Sequence, residues 1–334
     1  MVGTLTPSLV AAVGTALAAS LLPGPAPALA AEPSEPGLVT TVVRDARTGA
    51  PVPGVTVHAI AAEDRFADLW GARAGSDAAG VATFDGLEPG RYSFFVQPGD
   101  TAYGMQWLGA YGGTGDRDAA LEVTAPATGV LTLPDVRLDA AGAVTGTLTE
   151  AATGTPVAAQ VSVASMDPLW QDTTPNVYGT GRYTFTGLGP YGWKLFFMPD
   201  GTAGPTARVA AQWSGGATDR RRAHPIRVVA GQTTTADQRL RAGTVVSGSA
   251  VGGTPGQPVL GPVYAFHAGT HEIMAVSDTP DSLRYAVRLL PGQRVKLCIG
   301  RTWCYPGGAD LDHATAIPVG RRPLVVDFPG PGRR

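Results

Sequence analysis

An all-β protein made of three β-sandwich domains in tandem is the fold the sequence predicts, and three observations predict it. The 334 residues carry 45 Gly and 29 Pro, so often interrupting that no long helix can form. Short runs of alternating apolar and polar residues lie between these breakers. A set of landmarks also returns at a spacing of roughly 100 residues, several times the period of a solenoid unit and the size of a whole domain.

The first thirty residues are of a different kind. Leu9 to Leu22 is apolar and uncharged, Pro23 ends it, and Ala28-Leu-Ala30 supplies the small residues of a signal-peptidase site. Residues 1–30 therefore read as a signal peptide, although no Lys or Arg precedes Arg44. The apolar run falls short of the ~20 residues that span a bilayer, so no membrane insertion is expected after cleavage. A Pro-rich linker, 31–36, leads to the first sandwich.

In that first repeat, 37–140, Leu38-Val-Thr-Thr-Val-Val43 alternates as a strand and DARTGAPVPG enforces a turn. Val55, Val57 and Ala59 are then expected to face the core, with Thr56, His58 and Ile60 opposite. Gly80-Val-Ala-Thr-Phe-Asp-Gly-Leu-Glu-Pro-Gly-Arg-Tyr-Ser-Phe-Phe-Val96 reads as a central β-hairpin, with Ala82, Phe84, Tyr92, Phe94 and Val96 inward. A loop holding Trp107 and Tyr111 and two closing strands complete the unit. The second repeat, 141–242, restates the order: Gly181-Arg-Tyr-Thr-Phe-Thr-Gly-Leu188 matches Gly80 to Leu87, and Gln212-Trp213 matches Gln106-Trp107. In the third and most divergent repeat, 243–330, Leu283 to Gly292 stands for the hairpin and Trp303-Cys-Tyr-Pro-Gly-Gly308 for the Trp loop. The joints, near Asp139 to Gly142 and Arg241 to Gly243, are short enough to favour a rod over beads on a string.

The order of a strand, Thr-Gly-x-Pro, a second strand, Gly-x-Tyr-x-Phe-x-Gly-Leu, Pro-Gly-x-Tyr and a Trp-Gly-Gly loop resembles the carboxypeptidase regulatory-like domains of secreted actinobacterial proteins. The likeness covers nearly all of the chain after residue 36 and weakens in the third repeat. It implies an Ig-like, prealbumin-like and carbohydrate-binding-like sandwich of about seven strands per domain, related in shape to the B-type repeats of collagen adhesins. It also implies a non-catalytic accessory or adhesive role, and no active site is carried over.

Chemistry-bearing residues are few. A net charge of -2 leaves no broad basic field for a phosphate backbone, which excludes nucleic acid as the expected partner. No His-Glu-x-x-His, Gly-x-Ser-x-Gly or calcium-loop motif occurs. No cofactor and no metal site is expected from the scattered His58, His224, His267, His271 and His313. The two lysines, Lys194 and Lys296, fall at one aligned position and alternate away from the core, as solvated strand residues rather than isopeptide partners. Cys298 and Cys304, an even pair in an exported chain, are expected to form a disulfide.

The aromatic residues in predicted connections remain: Trp70, Trp107, Tyr111, Trp170, Tyr178, Trp213 and Trp303. An indole open to solvent would offer a platform to the C–H face of a sugar, whereas one folded back would cap a sandwich core. Three functions follow: a secreted monomer binding polysaccharide or cell-envelope glycan through these side chains, a structural or protein-adhesion rod without small ligand, and a degenerate carbohydrate hydrolase.

Overall fold

Alternation along Leu38–Asp45 places Val39, Thr41 and Val43 on a buried face, and the strand is the axis of a four-stranded sheet. It pairs antiparallel with Val81–Asp85 and parallel with Val130–Thr132 and Val136–Leu138. A second sheet runs in the order Arg73–Gly75, Thr56–Ala61, Gly90–Gln97, Gln106–Gly109, Gly112–Thr114, with Glu122–Ala125 also paired to Gly90–Gln97. The inner faces of the two sheets meet in one apolar core that includes Val39, Val57, Phe84, Phe94 and Val136.

The computed structural model describes residues 37–61, 72–99, 102–163, 176–199, 208–254, 257–259, 261–277, 283–300, 303–308 and 310–329, with the backbone alone at 176–180, 253–254 and 257–259. The expected signal peptide and linker, Trp70 and Trp170 lie outside them. The fold is all-β. Among the described residues helix is limited to three single 3-10 turns, Arg117–Ala119, Ser214–Gly216 and Arg220–Arg222, and no helix is long and apolar enough to cross a membrane.

The two-sheet plan recurs. Gly142–Glu150 pairs antiparallel with Arg182–Leu188 and parallel with Thr233–Thr235 and Gln238–Leu240. Beside it lies the sheet Asn176–Thr180, Ala158–Ser162, Phe196–Pro199, Gln212–Trp213. Further along, Thr244–Ser249 pairs antiparallel with Arg284–Leu289 and parallel with Leu324–Val325. Its companion sheet holds Ile273–Ser277, Val263–His267, Arg294–Ile299 and Trp303–Cys304.

The expected central hairpin is not one. Val81–Asp85 bonds to Leu38–Asp45, and Gly90–Gln97 bonds to Thr56–Ala61. The Gly-Leu-Glu-Pro-Gly turn is thus a corner that carries the chain from one sheet to the other. Leu87 buries itself in that corner, Gly86 takes the left-handed conformation at φ 76°, and the Phe84 and Phe94 rings meet edge to face across the core at 5.5 Å. The inward residues are those the alternation predicts, but the sheet partners differ.

One cross-strand pair shows how the repeats vary without changing the plan. Thr41 stands opposite Ala82, Gly146 opposite Tyr183, and Gly248 opposite Tyr285. In each, a hydroxyl donates to a carbonyl of the closing segment: Thr41 Oγ1 to Pro134 at 2.9 Å, Tyr183 to Ala236 at 2.6 Å, Tyr285 to Val326 at 2.8 Å. Where the tyrosine supplies the bond, its partner must be glycine, since a Cβ on Gly146 would stand 2.2 Å from the Ala236 oxygen and 2.7 Å from the Tyr183 ring. Burial raises the pKa of both tyrosines, so they stay protonated donors.

Candidate functional site

The outer faces of the second sheets are covered, and their coverings bring the chemistry-bearing residues together. Thr56–Ala61 buries not only Val57 and Ala59 but also His58 and Ile60. Ile60, Phe95, Met105 and Trp107 belong to the same apolar cluster as Val163, Trp193, Leu195 and Phe197 of the next repeat. Phe95 and Trp107 are cross-strand partners with ring centroids 5.0 Å apart. Phe196 and Trp213 hold the same register one repeat later, 5.1 Å apart, and join the cluster of Val263, Ala265 and Val295.

Trp107 and Trp213 therefore lie on strands, not in connections, and are 0% and 1% exposed. Neither presents a ring face to a ligand, which corrects the expectation of sugar contact at these two positions: their large apolar area stabilises more when it seals one repeat against the next. Trp303 is partly buried, its indole packed between Gly252 and Gly308 and against the apolar core of the third repeat. Of Tyr178 the structure describes the backbone alone, on Asn176–Thr180. Tyr111 is the exception, fully exposed at the turn between Gln106–Gly109 and Gly112–Thr114.

Backbone contacts reinforce the first junction. Met105 N–H donates to the Gly187 carbonyl at 2.8 Å and Gly189 N–H to the Met105 carbonyl at 3.0 Å. Gly104 lies so close to Gly189 that a Cβ on it would meet that backbone at 2.4 Å. Tyr191 donates across the joint to Gln106 Oε1 at 2.6 Å.

Charge then links the three repeats in series. Lys194 Nζ sits 2.6 Å from Asp116 Oδ2. Arg220 lies 2.8 Å from Asp118 Oδ1 and 2.5 Å from Glu272 Oε1, so one guanidinium of the second repeat is held by carboxylates of the first and the third. Burial opposes the Arg220 charge, but Glu272, Asp118 and Asp116 more than offset it and its pKa moves up. The lysines do face away from their own cores, yet neither is solvated. Lys194 is enclosed by this network, and Lys296 is buried, donating to the Leu311 and Asp312 carbonyls at 2.7 and 3.0 Å. The sequence signals for the network are the short runs Asp116-Arg-Asp118 and Asp219-Arg-Arg-Arg222, which do not differ on paper from solvated turns.

The third repeat replaces the aromatic pair. Cys298 and Cys304 form a disulfide and are themselves a cross-strand pair, in the register of Phe95 with Trp107 and Phe196 with Trp213. Cys304, not Trp303, thus takes the place of the earlier tryptophans. The disulfide lies in a small cluster with Tyr264, Phe266, Leu311 and Ala314, so this sheet face is covered by a loop of its own repeat.

Among the described residues no three His, Cys, Asp or Glu side chains gather to hold a metal ion. His267 and His271 do not converge: His267 Nδ1 meets Thr270 at 3.0 Å, and His271 Nε2 meets Lys296 at 3.3 Å.

No family model matches the chain, and no curated protein matches it. Among solved structures it is similar to the TIE protein of Bacillus anthracis, at 10% identity and a TM-score of 0.23, over 88% of this chain and 50% of that one. A Streptococcal ancillary pilin matches at 15% identity and a TM-score of 0.27, covering 63% of each chain. The minor pilin of Streptococcus agalactiae matches at 12% and 0.28, over 62% of this chain and 96% of the pilin. The chain thus spans half the length of the TIE protein and under two thirds of the ancillary pilin. Likeness at these values carries no assignment of family or role.

Proposed function

We propose that the chain is an extracellular, non-catalytic structural or adhesion protein, a monomer of three tandem prealbumin-like sandwiches spanning 37–140, 141–242 and 243–330, of the carboxypeptidase regulatory-like kind. One observation carries the reading: two of the aromatic residues that sequence offers for recognition, and the charged residues beside them, are spent on docking. Trp107 and Trp213 are sealed between repeats, and Arg220 is shared by carboxylates on both sides of it. Such junctions hold a fixed spacing between the two ends of a chain, which is what a spacer or adhesion module needs and a catalyst does not. Its partner in this reading is an extracellular protein, and a cleavable signal peptide over residues 1–30 delivers it there.

Small-angle scattering of residues 37–329 tests the reading. A rigid spacer gives one scattering profile that is the same in low and moderate salt. A profile of independently moving units would overturn it. A second reading, contact with cell-envelope glycan, is favoured only by the fully exposed Tyr111 ring. Retention on immobilised polysaccharide that is lost in Tyr111→Ala would support it, and no retention would end it.

A further inference from the structure

A cleft of about 450 Å³ opens where the Arg220–Arg222 turn faces the third repeat. Arg221 and Arg222 enter it from the turn and Arg294 from the opposite wall, against a single carboxylate, Asp219. In a chain of net charge -2 with acidic and basic residues interspersed, three guanidinium groups around one concavity are a local reversal of sign.

The carboxylate offsets only one of the three charges. Asp219 is buried and spent on the turn: its Oδ1 accepts the Arg222 N–H at 3.3 Å, and its Oδ2 takes the Thr218 hydroxyl at 3.2 Å. Glu272, on the third repeat, pairs with Arg220 and accepts the Thr270 hydroxyl. Arg222 keeps only a 3.7 Å contact with Asp219. Among the described residues Arg221 and Arg294 have no ion pair, and all three arginines are exposed. His267, which also lines the cleft, is partly buried and neutral, since desolvation lowers its pKa. It adds polarity without charge.

We propose that this cleft is a binding site for a polyvalent tetrahedral oxyanion, phosphate or sulfate, held by Arg221, Arg222 and Arg294. Guanidinium groups present paired N–H donors that match such oxygens two at a time. A ligand with several negative charges within a few ångströms answers three cations better than an isolated carboxylate does. The walls come from two repeats joined by the Arg220 pairs, so the backbone on both sides of the cleft is held at a set spacing before the ligand arrives. The inference does not depend on the spacer reading, since a docked junction is all it requires.

Calorimetric titration of residues 37–329 in low salt tests it, with inorganic tripolyphosphate and a sulfated tetrasaccharide as the probes and citrate as the carboxylate comparator. The expected result is saturable binding of tripolyphosphate that weakens with added salt and by about tenfold or more in Arg221→Ala/Arg294→Ala. Binding of the tetrasaccharide as well would point to a glycan-borne ester, and its failure beside tripolyphosphate to a free phosphate. Arg73→Ala/Arg137→Ala, two exposed arginines of the first repeat, is expected to change affinity by less than about threefold. Equal losses in the two double variants would reduce the effect to diffuse surface charge and overturn the site. Absence of tripolyphosphate binding, or citrate bound as tightly, would overturn it too. The altered side chains are exposed, so an unchanged Tm confirms that each variant is folded.

Discussion

At the scale of single residues, Asp45 shows how a polar contact reaches beyond its own turn. Its Oδ2 accepts the Tyr103 hydroxyl at 2.7 Å, and its Oδ1 accepts the Thr48 and Arg47 N–H groups at 2.6 and 2.9 Å. The Tyr103 bond, followed by those from Thr48, holds the carboxyl at about 2. A depressed carboxylate contributes its stability above the ordinary value of 3.8 and loses it as pH falls through the folded value. Asp45 therefore supports the fold down to about pH 4 and progressively fails between there and about pH 2. Tyr103→Phe is expected to move the titration back up toward 3.8, which a carbon-13 titration of the Asp45 carboxyl would read. An unmoved midpoint would show that the turn amides alone hold it down.

Among elements, the paired exchange of Thr41 with Ala82 for Gly146 with Tyr183 gives a direct test of how the closing strand is held. Tyr183→Phe leaves the Ala236 carbonyl without its donor and is expected to cost about 1 to 2 kcal/mol. Gly146→Ala forces a Cβ against that same carbonyl, with a cost as large or larger. Chemical denaturation of the two variants and of wild type would compare them, and near-neutral values would mean the closing strand is held by its backbone pairing alone. Much of this level was legible in sequence, because alternation and turn residues fix which side chains face inward. The corner at Gly86 to Gly90 was not, since a Gly-Pro turn that reverses a hairpin and one that crosses between sheets use the same residues. Trp107 was misread for a related physical reason: Gln106–Gly109 is buried on both faces, and a repeat read singly has only one covered face to assign. The covering of Lys194 by Asp116 likewise depends on the neighbouring repeat, as a pair more than seventy residues apart with no pattern between them.

For the whole molecule, the described residues gather in one compact unit, and the charge relay gives a reason for the three repeats to unfold together. Removing a largely buried cation takes from Asp118 and Glu272 the guanidinium they share, so Arg220→Ala is expected to cost roughly 3 kcal/mol. It should also split a single thermal transition into resolvable steps, because the one side chain ion-paired to both neighbouring repeats is then gone. Scanning calorimetry would show the split, and a lowered but still single transition would assign the coupling to the apolar faces and the remaining hydrogen bonds instead.

The parallel pairing of each opening strand with its closing strand has a mechanical consequence. Force applied at the two ends of the first repeat draws Leu38–Asp45 and Val136–Leu138 along their common axis in opposite directions, so their hydrogen bonds are strained together. Force applied at Leu38 and Asp85, adjacent ends of an antiparallel pair, would open bonds one at a time. Forced unfolding is governed by the barrier along the pulling direction. Pulling experiments through these two attachment geometries should give a markedly higher rupture force for the first, and equal forces would show that the closing strand bears none of the tension.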